Sequence, residues 1–478
     1  MFASTHARLA GENRYNVLFI AVDDLRPVLG CYGNTIVKTP HLDQLAQQGI
    51  VFENAYCQAS SCLPSRTSLL TGLRVDTTRI TDNQDGHFRE RFPDLITLPQ
   101  HFKRDGYFCR EFGKVFHVQD PVSWSVEKFL PKSDYAYPIY GKAETQALQK
   151  SLANLDKPED WWGYQAGRNS RWIRALSWED PDVPDEYLFD GQLADGVIDT
   201  LKKHGDQPFF LGVGFFRPHL PFVAPRRYFD LYPIETLTLP ENRNLPQGAP
   251  PFAVHDSSEL RTYTDVGKEE VLTEKKQLQL LRAYYACVSY VDAQIGRVLQ
   301  ALKEQNLRSN TVIVLWSDHG YHFGEHGTWN KATNFEEATR VTLIVSHPGQ
   351  KNHGKHSDSL VELIDLYPTL SEICGLPVPD GLEGISFKPL LANPDRPWKS
   401  AAFSQIEVKG VPGFTMRSDR YRYTEWIRDG EVVTTELYDH QRDPGENFDI
   451  AESAENLAVL QALKSQFDAG WKAAVPKE

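Results

Sequence analysis

Cysteine is sparse and unpatterned in this chain, with six residues at positions 31, 57, 62, 109, 287 and 374 and no CxxC pair. That spacing excludes a disulfide framework and a zinc cluster, while leaving one or two isolated bridges open. Long apolar runs are missing too. Nothing approaches the roughly 18 apolar residues of a membrane span, and the stretch from Met1 to Tyr15 lacks the apolar core of a signal peptide. Two locations fit that start: the cytoplasm, or the periplasm or exterior with a leader already removed. The polar tail over residues 2–13 reads as a mature N-terminus and favours the second. Positive charge is in deficit, 51 Lys and Arg against 64 Asp and Glu, a net charge of −13. A broad basic face for nucleic acid is thereby excluded, and an anionic ligand would need a local basic pocket within an acidic body. Internal repeats and low-complexity tracts are absent.

What is present is an alternation of strands and helices across 478 residues, long enough for a large core and a smaller second unit. Residues 16–22 (NVLFIAV) form a continuous apolar, β-branched run, as expected of a strand buried on both faces. The run ends abruptly in Asp23-Asp24. Residues 311–316 (TVIVLW) repeat the pattern and end in Ser317-Asp318-His319-Gly320, and residues 209–215 end in Arg217-Pro218-His219. A fourth strand is expected over 341–345. Between the third and second of these, 274–303 carries apolar residues at helical spacing, with Thr273 as its N-cap. The pattern predicts an α/β fold: a large, mostly parallel sheet between helices. Such sheets bind ligands beyond the carboxyl ends of their strands, so three polar strand ends point to one site.

The rhythm changes after residue 379. A hairpin over 414–426 and 431–438 and a final helix over 451–473 predict a smaller C-terminal α+β subdomain, 379–478, packed on a catalytic domain of residues 1–378. Residues 119–184, rich in aromatics (Trp124, Trp161, Trp162, Tyr164, Trp172, Trp178), and residues 222–271 are aperiodic. Either stretch could wall a substrate cleft or simply pack as loops.

Candidate chemistry collects at the strand ends. Adjacent carboxylates such as Asp23 and Asp24 suit a hard divalent cation; alone, the pair reads as a solvated turn. A second strand end with matching chemistry, Asp318 and His319, shifts the reading to a metal, and the dominance of carboxylates favours calcium over zinc. Cys62 opens the run Cys62-Leu63-Pro64-Ser65-Arg66, followed by Thr67-Ser68-Leu69-Leu70-Thr71-Gly72. A short helix over 65–72 would place Cys62 near a helix N-terminus, favourable to an anionic group, with Arg66 one turn on. Lys114, His117, His219 and Lys331 are each unremarkable surface types alone. Together they supply the cations and proton donor that cleavage of an anionic ester requires. His322 and His326 stand four apart, but Gly324 and Gly327 argue for a loop there, and both are left out of the metal site.

Six stretches carry a family resemblance: NVLFIAVDDLRPVLGCYG (16–33), CLPSRTSLLTGLRVDTTR (62–79), GKVFH (113–117), FRPHLPF (216–222), SDHGYHFGEHGTWNKATNFE (317–336) and ELYDHQRDPGEN (436–447). On these the chain resembles the type I, formylglycine-dependent sulfatases of the alkaline phosphatase superfamily, and within them the iduronate-type enzymes, which carry His where many relatives of His319 carry Asn. The resemblance implies a sulfuric ester hydrolase whose Cys62 is converted to formylglycine by a maturation enzyme. It implies that Asp23, Asp24, Asp318 and His319 bind Ca2+ with residue 62. Arg66, Lys114 and His117 would hold the formylglycine diol, while His219 and Lys331 grip the sulfate and assist the leaving group. One diol hydroxyl would attack sulfur and release the sugar alcohol; loss of the other hydroxyl's proton would then expel sulfate. The implied partner is a sulfated oligosaccharide or polysaccharide, either a glycosaminoglycan-type 2-O-sulfated uronate or a marine glycan such as ulvan or carrageenan. Asp76, Thr77, Arg79 and His87, just past the nucleophile, are candidates to touch the sugar. Two rivals remain: a phosphate or phosphonate monoester hydrolase of the same superfamily, and a catalytically silent glycan-binding relative. The second is disfavoured because no functional position has been lost.

Overall fold

A computed structural model describes residues 14–131, 140–153, 175–267 and 271–476. Its centre is a seven-stranded sheet of β1 (Asn16–Val22), β2 (Ile50–Phe52), β3 (Phe108–Gly113), β4 (Phe209–Phe215), β5 (Thr311–Ser317), β6 (Leu343–Ser346) and β7 (Lys355–Ser357), in the order β7-β2-β6-β5-β1-β4-β3. Every pairing is parallel except the two made by β6, so the expected α/β sheet, mostly parallel, is the one observed. All seven residues of β1 are buried, and their alternation divides the core. Leu18, Ile20 and Val22 face one apolar cluster, built with α2 (Phe189–His204) and α3 (Glu274–Glu304). Val17, Phe19 and Ala21 face the other, with α1 (Cys62–Thr71) and α4 (Leu366–Ile373). The period of two along a strand covered on both faces accounts for that division.

Helix α3 begins where its cap predicts, the Thr273 hydroxyl accepting from the Lys276 N–H at 3.2 Å. The C-terminal region departs in detail from expectation. Four antiparallel strands form there, β8 (Ala402–Val408), β9 (Val411–Arg417), β10 (Tyr421–Arg428) and β11 (Glu431–Asp439), in sequential order. The apparent single strand over 414–426 is two, parted by a turn in which the Ser418 N–H donates to the Tyr421 carbonyl. The single final helix expected is broken: α5 (Leu457–Ala469) ends at Gly470, which takes φ 71°, and a separate helical turn, Trp471–Ala474, follows.

All six cysteines are free. Among the described residues no helix is long and apolar enough to cross a membrane. Within the aromatic stretch, Trp124 is buried against Phe116 and Phe210, and Trp178 packs on Phe229. Residues 161, 162, 164 and 172 lie outside the described residues.

Candidate active site

In-register parallel strands bring their ends level, so the residues just past them converge. Val22 in β1 pairs with Phe215 in β4 and with Ser317 in β5, which sets Asp23-Asp24, Arg217-Pro218-His219 and Asp318-His319 side by side. Next to β4, Gly113 of β3 pairs with Gly214 and delivers Lys114. A Cβ at Gly214 would overlap the Lys114 backbone, so only glycine allows this approach. Helix α1 enters from the other face and starts at Cys62 itself, three residues earlier than the sequence suggested.

The result is a buried ionic nucleus. Asp23, Asp24, Asp318, His319 and Arg66 are all inaccessible to solvent. Arg66 uses its whole guanidinium: Nε donates to Asp318 Oδ2 at 2.9 Å, Nη2 to Asp23 Oδ1 at 2.8 Å, and Nη1 to the carbonyls of Lys114 and Val115. Lys114 Nζ donates to Asp23 Oδ2 at 2.6 Å. Lys331 Nζ spans both oxygens of Asp24 at 2.9 and 2.8 Å. Burial alone would raise the Asp23 carboxyl, but Lys114 and Arg66 hold it well below the usual carboxylate range. Three carboxylates are thus set against three fixed cations. Asp24 accepts left-handed backbone, φ 62°, to turn its side chain into this cluster.

Cys62 Sγ lies 3.2 Å from His319 Nε2 and 3.8 Å from Asp23 Oδ1. Burial pushes its thiol well up, outweighing Lys114 and Lys331, so the unmodified thiol is held protonated and is a poor nucleophile. His319 Nδ1 faces the Gly320 carbonyl at 3.0 Å. A carbonyl only accepts, so Nδ1 carries the proton and Nε2 presents a lone pair. That lone pair stands 3.4 Å from Asp24 Oδ1 and 3.5 Å from Asp318 Oδ2. Lone pairs and carboxylate oxygens turned on one another repel unless a cation lies among them. Ligand atoms of Asp23, Cys62, Asp318 and His319 are all within 4.8 Å of one another, as are those of Asp23, Asp24, Cys62 and His219. The donor set fits a divalent cation.

Two histidines complete the pocket. His117 is held neutral, burial and then Lys114 driving its pKa well below the ordinary value, and its Nδ1 is buried with no hydrogen-bond partner. His219 Nδ1 faces the Leu220 carbonyl at 2.7 Å and Nε2 lies 3.4 Å from Glu259 Oε1. Glu259 also reaches Lys331 at 3.2 Å and Asn330 at 2.7 Å. Sequence reasoning missed Glu259, which sits in the aperiodic 222–271 stretch with no motif around it.

The candidates beyond the nucleophile are not gathered into the nucleus. Asp76 and Arg79 are exposed, and Thr77 hydrogen-bonds Glu383. His87 serves as a cap, Nδ1 accepting from the Arg89 N–H at 3.0 Å, with its ring stacked on Phe88.

The Sulfatase family model matches residues 15–376, and the C-terminal model of N-sulphoglucosamine sulphohydrolase matches residues 324–472. The chain belongs to the sulfatase family. It is therefore a sulfuric ester hydrolase. This sulfatase is 33% identical over 537 residues to iduronate 2-sulfatase of Mus musculus, covering 94% of this chain and 93% of that one. It is 34% identical over 475 residues to a sulfatase of Formosa agariphila, covering 94% and 85%. Among solved structures, a phosphonate monoester hydrolase from Silicibacter pomeroyi matches with a TM-score of 0.76 at 23% identity, over 96% of each chain. That likeness shows a shared fold, on which function must be argued from the site.

Proposed function

We propose that this sulfatase removes the sulfate of a 2-O-sulfated uronate in an oligosaccharide, outside the cytoplasm, using Cys62 converted to formylglycine and a bound calcium ion. The observation that carries the reading is Cys62 at the first turn of α1, facing His319 Nε2 and Asp23 within a ring of three carboxylates and three cations. Asp23, Asp24, Asp318 and His319, with residue 62, would hold the calcium, which would polarise the sulfate oxygens and the nucleophile. Conversion of Cys62 by a maturation enzyme would supply an aldehyde hydrate as nucleophile, in place of a thiol that burial keeps protonated.

The other side chains divide the remaining work. Arg66 commits four of its five N–H groups to Asp23, Asp318 and two backbone carbonyls; it sets the Asp23–Asp318 spacing and orients both carboxylates. Lys114 anchors Asp23 from the opposite side, and His117, neutral and with its Nδ1 unpartnered, would help hold the formylglycine diol. Lys331 offers its ammonium to an equatorial sulfate oxygen. The proton for the departing sugar alkoxide comes from His219 and Glu259. With Nδ1 donating to Leu220, Nε2 and a carboxylate at 3.4 Å are compatible only if one proton lies between them.

The uronate assignment draws its support from the 33% identity to mouse iduronate 2-sulfatase across almost the whole chain. Sulfate release would be measured from 2-O-sulfated heparin disaccharides, ulvan and carrageenan oligosaccharides and a phosphonate monoester, after peptide mass has verified Cys62 conversion. Release from the 2-O-sulfated uronate alone is the expected result. Release only from a marine glycan would keep the chemistry and overturn the substrate; cleavage of the phosphonate in preference to every sulfate would overturn the reading.

A further inference from the structure

The histidines set aside in the sequence, His322 and His326, meet again in the fold. His322 lies in a short strand, His322–Phe323, paired antiparallel with Trp329–Asn330, and Lys331 follows directly. His326 occupies the bend between them with φ 54°. Glu337 reaches the same place from a one-turn helix, Glu336–Thr339. Both histidines are buried, at 0% and 1% exposure. His322 Nδ1, His326 Nδ1 and Glu337 Oε2 are each buried without a hydrogen-bond partner, and the three residues offer ligand atoms within 4.8 Å of one another.

Three unsatisfied polar atoms on side chains this close together call for a physical account. The tautomer sharpens it. His326 Nε2 lies 3.0 Å from the Gly445 carbonyl, so the proton is on Nε2 and Nδ1 is a bare lone pair. His322 Nε2 lies 2.8 Å from Thr333 Oγ1, which can take its N–H in the same way. A ring whose outer nitrogen donates to oxygen while the inner one is bare has the arrangement of a metal-bound histidine.

We propose that His322, His326 and Glu337 form a second cation site, which takes a first-row transition ion such as Zn2+ and pins the hairpin that carries Lys331. Two imidazoles and one carboxylate are borderline donors that suit zinc better than calcium. The site shares no ligand with the carboxylate nucleus. Through Gly445 it also ties the hairpin to the C-terminal region, where Phe335 packs between His326 and Tyr438. The proposal holds whatever the substrate of this enzyme is.

The test uses the full chain, stripped with EDTA, saturated with Ca2+ to occupy the carboxylate nucleus, and then titrated with Co2+. One equivalent of tightly held Co2+ is expected, with visible ligand-field absorption that Zn2+ displaces. His326→Gln and Glu337→Gln should each lose that equivalent, whereas Asp318→Asn should keep it. No uptake by the wild-type chain, which needs no variant to fold, would overturn the proposal and leave the three atoms to a buried water. Uptake lost in Asp318→Asn and retained in His326→Gln would overturn it equally.

Discussion

Glu259 Oε1 stands 3.4 Å from His219 Nε2, and its second oxygen holds Lys331 at 3.2 Å. One carboxylate thus touches both groups assigned to the sulfate and its leaving group. If it shares the proton that the departing alkoxide takes, Glu259→Gln should lower kcat on a sugar sulfate by about a hundredfold. On an aryl sulfate, whose phenolate leaves with little help, the loss should be far smaller. Equal losses on both substrates would reduce Glu259 to a positioning residue for Lys331.

Cys62 is assigned the whole nucleophilic step. Cys62→Ser, expressed in a host that matures only cysteine, should release no sulfate above background. Its melting temperature should stay within a degree or two, because the new side chain is slightly smaller and adds no charge. Substantial turnover by that variant would remove formylglycine from the mechanism.

Gly214 has no chemistry of its own, yet its missing side chain is what lets Lys114 reach Asp23. A Cβ there would overlap the Lys114 carbonyl and amide backbone. Gly214→Ala should therefore push Lys114 away from Asp23 and lower kcat at least tenfold, while also destabilising the sheet by about 1–3 kcal/mol. Urea unfolding and steady-state kinetics separate the two effects. Unchanged kinetics in a folded variant would mean that the Lys114–Asp23 contact is dispensable.

The strand ends were legible because a buried strand cannot tolerate charge in its interior: Asp23, His219 and Asp318 each terminate a continuous apolar run. Cys62, Arg66 and Lys331 lie in compact local motifs, which sequence preserves. Glu259 was not legible, since it arrives from an aperiodic segment and owes its position to tertiary packing alone. Strands β2 and β7 were missed because three residues are too few to show a period, and β3 because Arg110 and Glu111 interrupt its apolar pattern. The helix of Cys62 was expected to begin at Ser65; it begins three residues earlier, since Pro64 is tolerated in a first turn, where its missing N–H would have no partner. His322 and His326 needed the third dimension. Their sequence spacing suggests a helix face that Gly324 and Gly327 rule out, and only the hairpin brings them together.

The junction between the sheet and the C-terminal strands gives the last prediction, a pH dependence. Glu446 is fully buried and accepts from Arg422 Nε at 2.6 Å, from His440 Nε2 at 2.9 Å and from the Glu336 N–H at 2.8 Å. Burial by itself would raise this carboxyl; Arg422 and His440 lower it from 4.5 to about 2. The unfolded chain, with an ordinary glutamate, binds the proton first as pH falls. The stabilisation is therefore complete above about pH 4.5 and disappears as pH falls toward about 2, a contribution of roughly 3 kcal/mol. Glu446→Gln should lower stability in urea at neutral pH by an amount of that order, because it leaves Arg422 with one carboxylate fewer. Between about pH 4.5 and pH 3 the variant should lose less further stability than wild type. If both chains lose stability equally steeply across that window, the acid sensitivity belongs to other carboxylates.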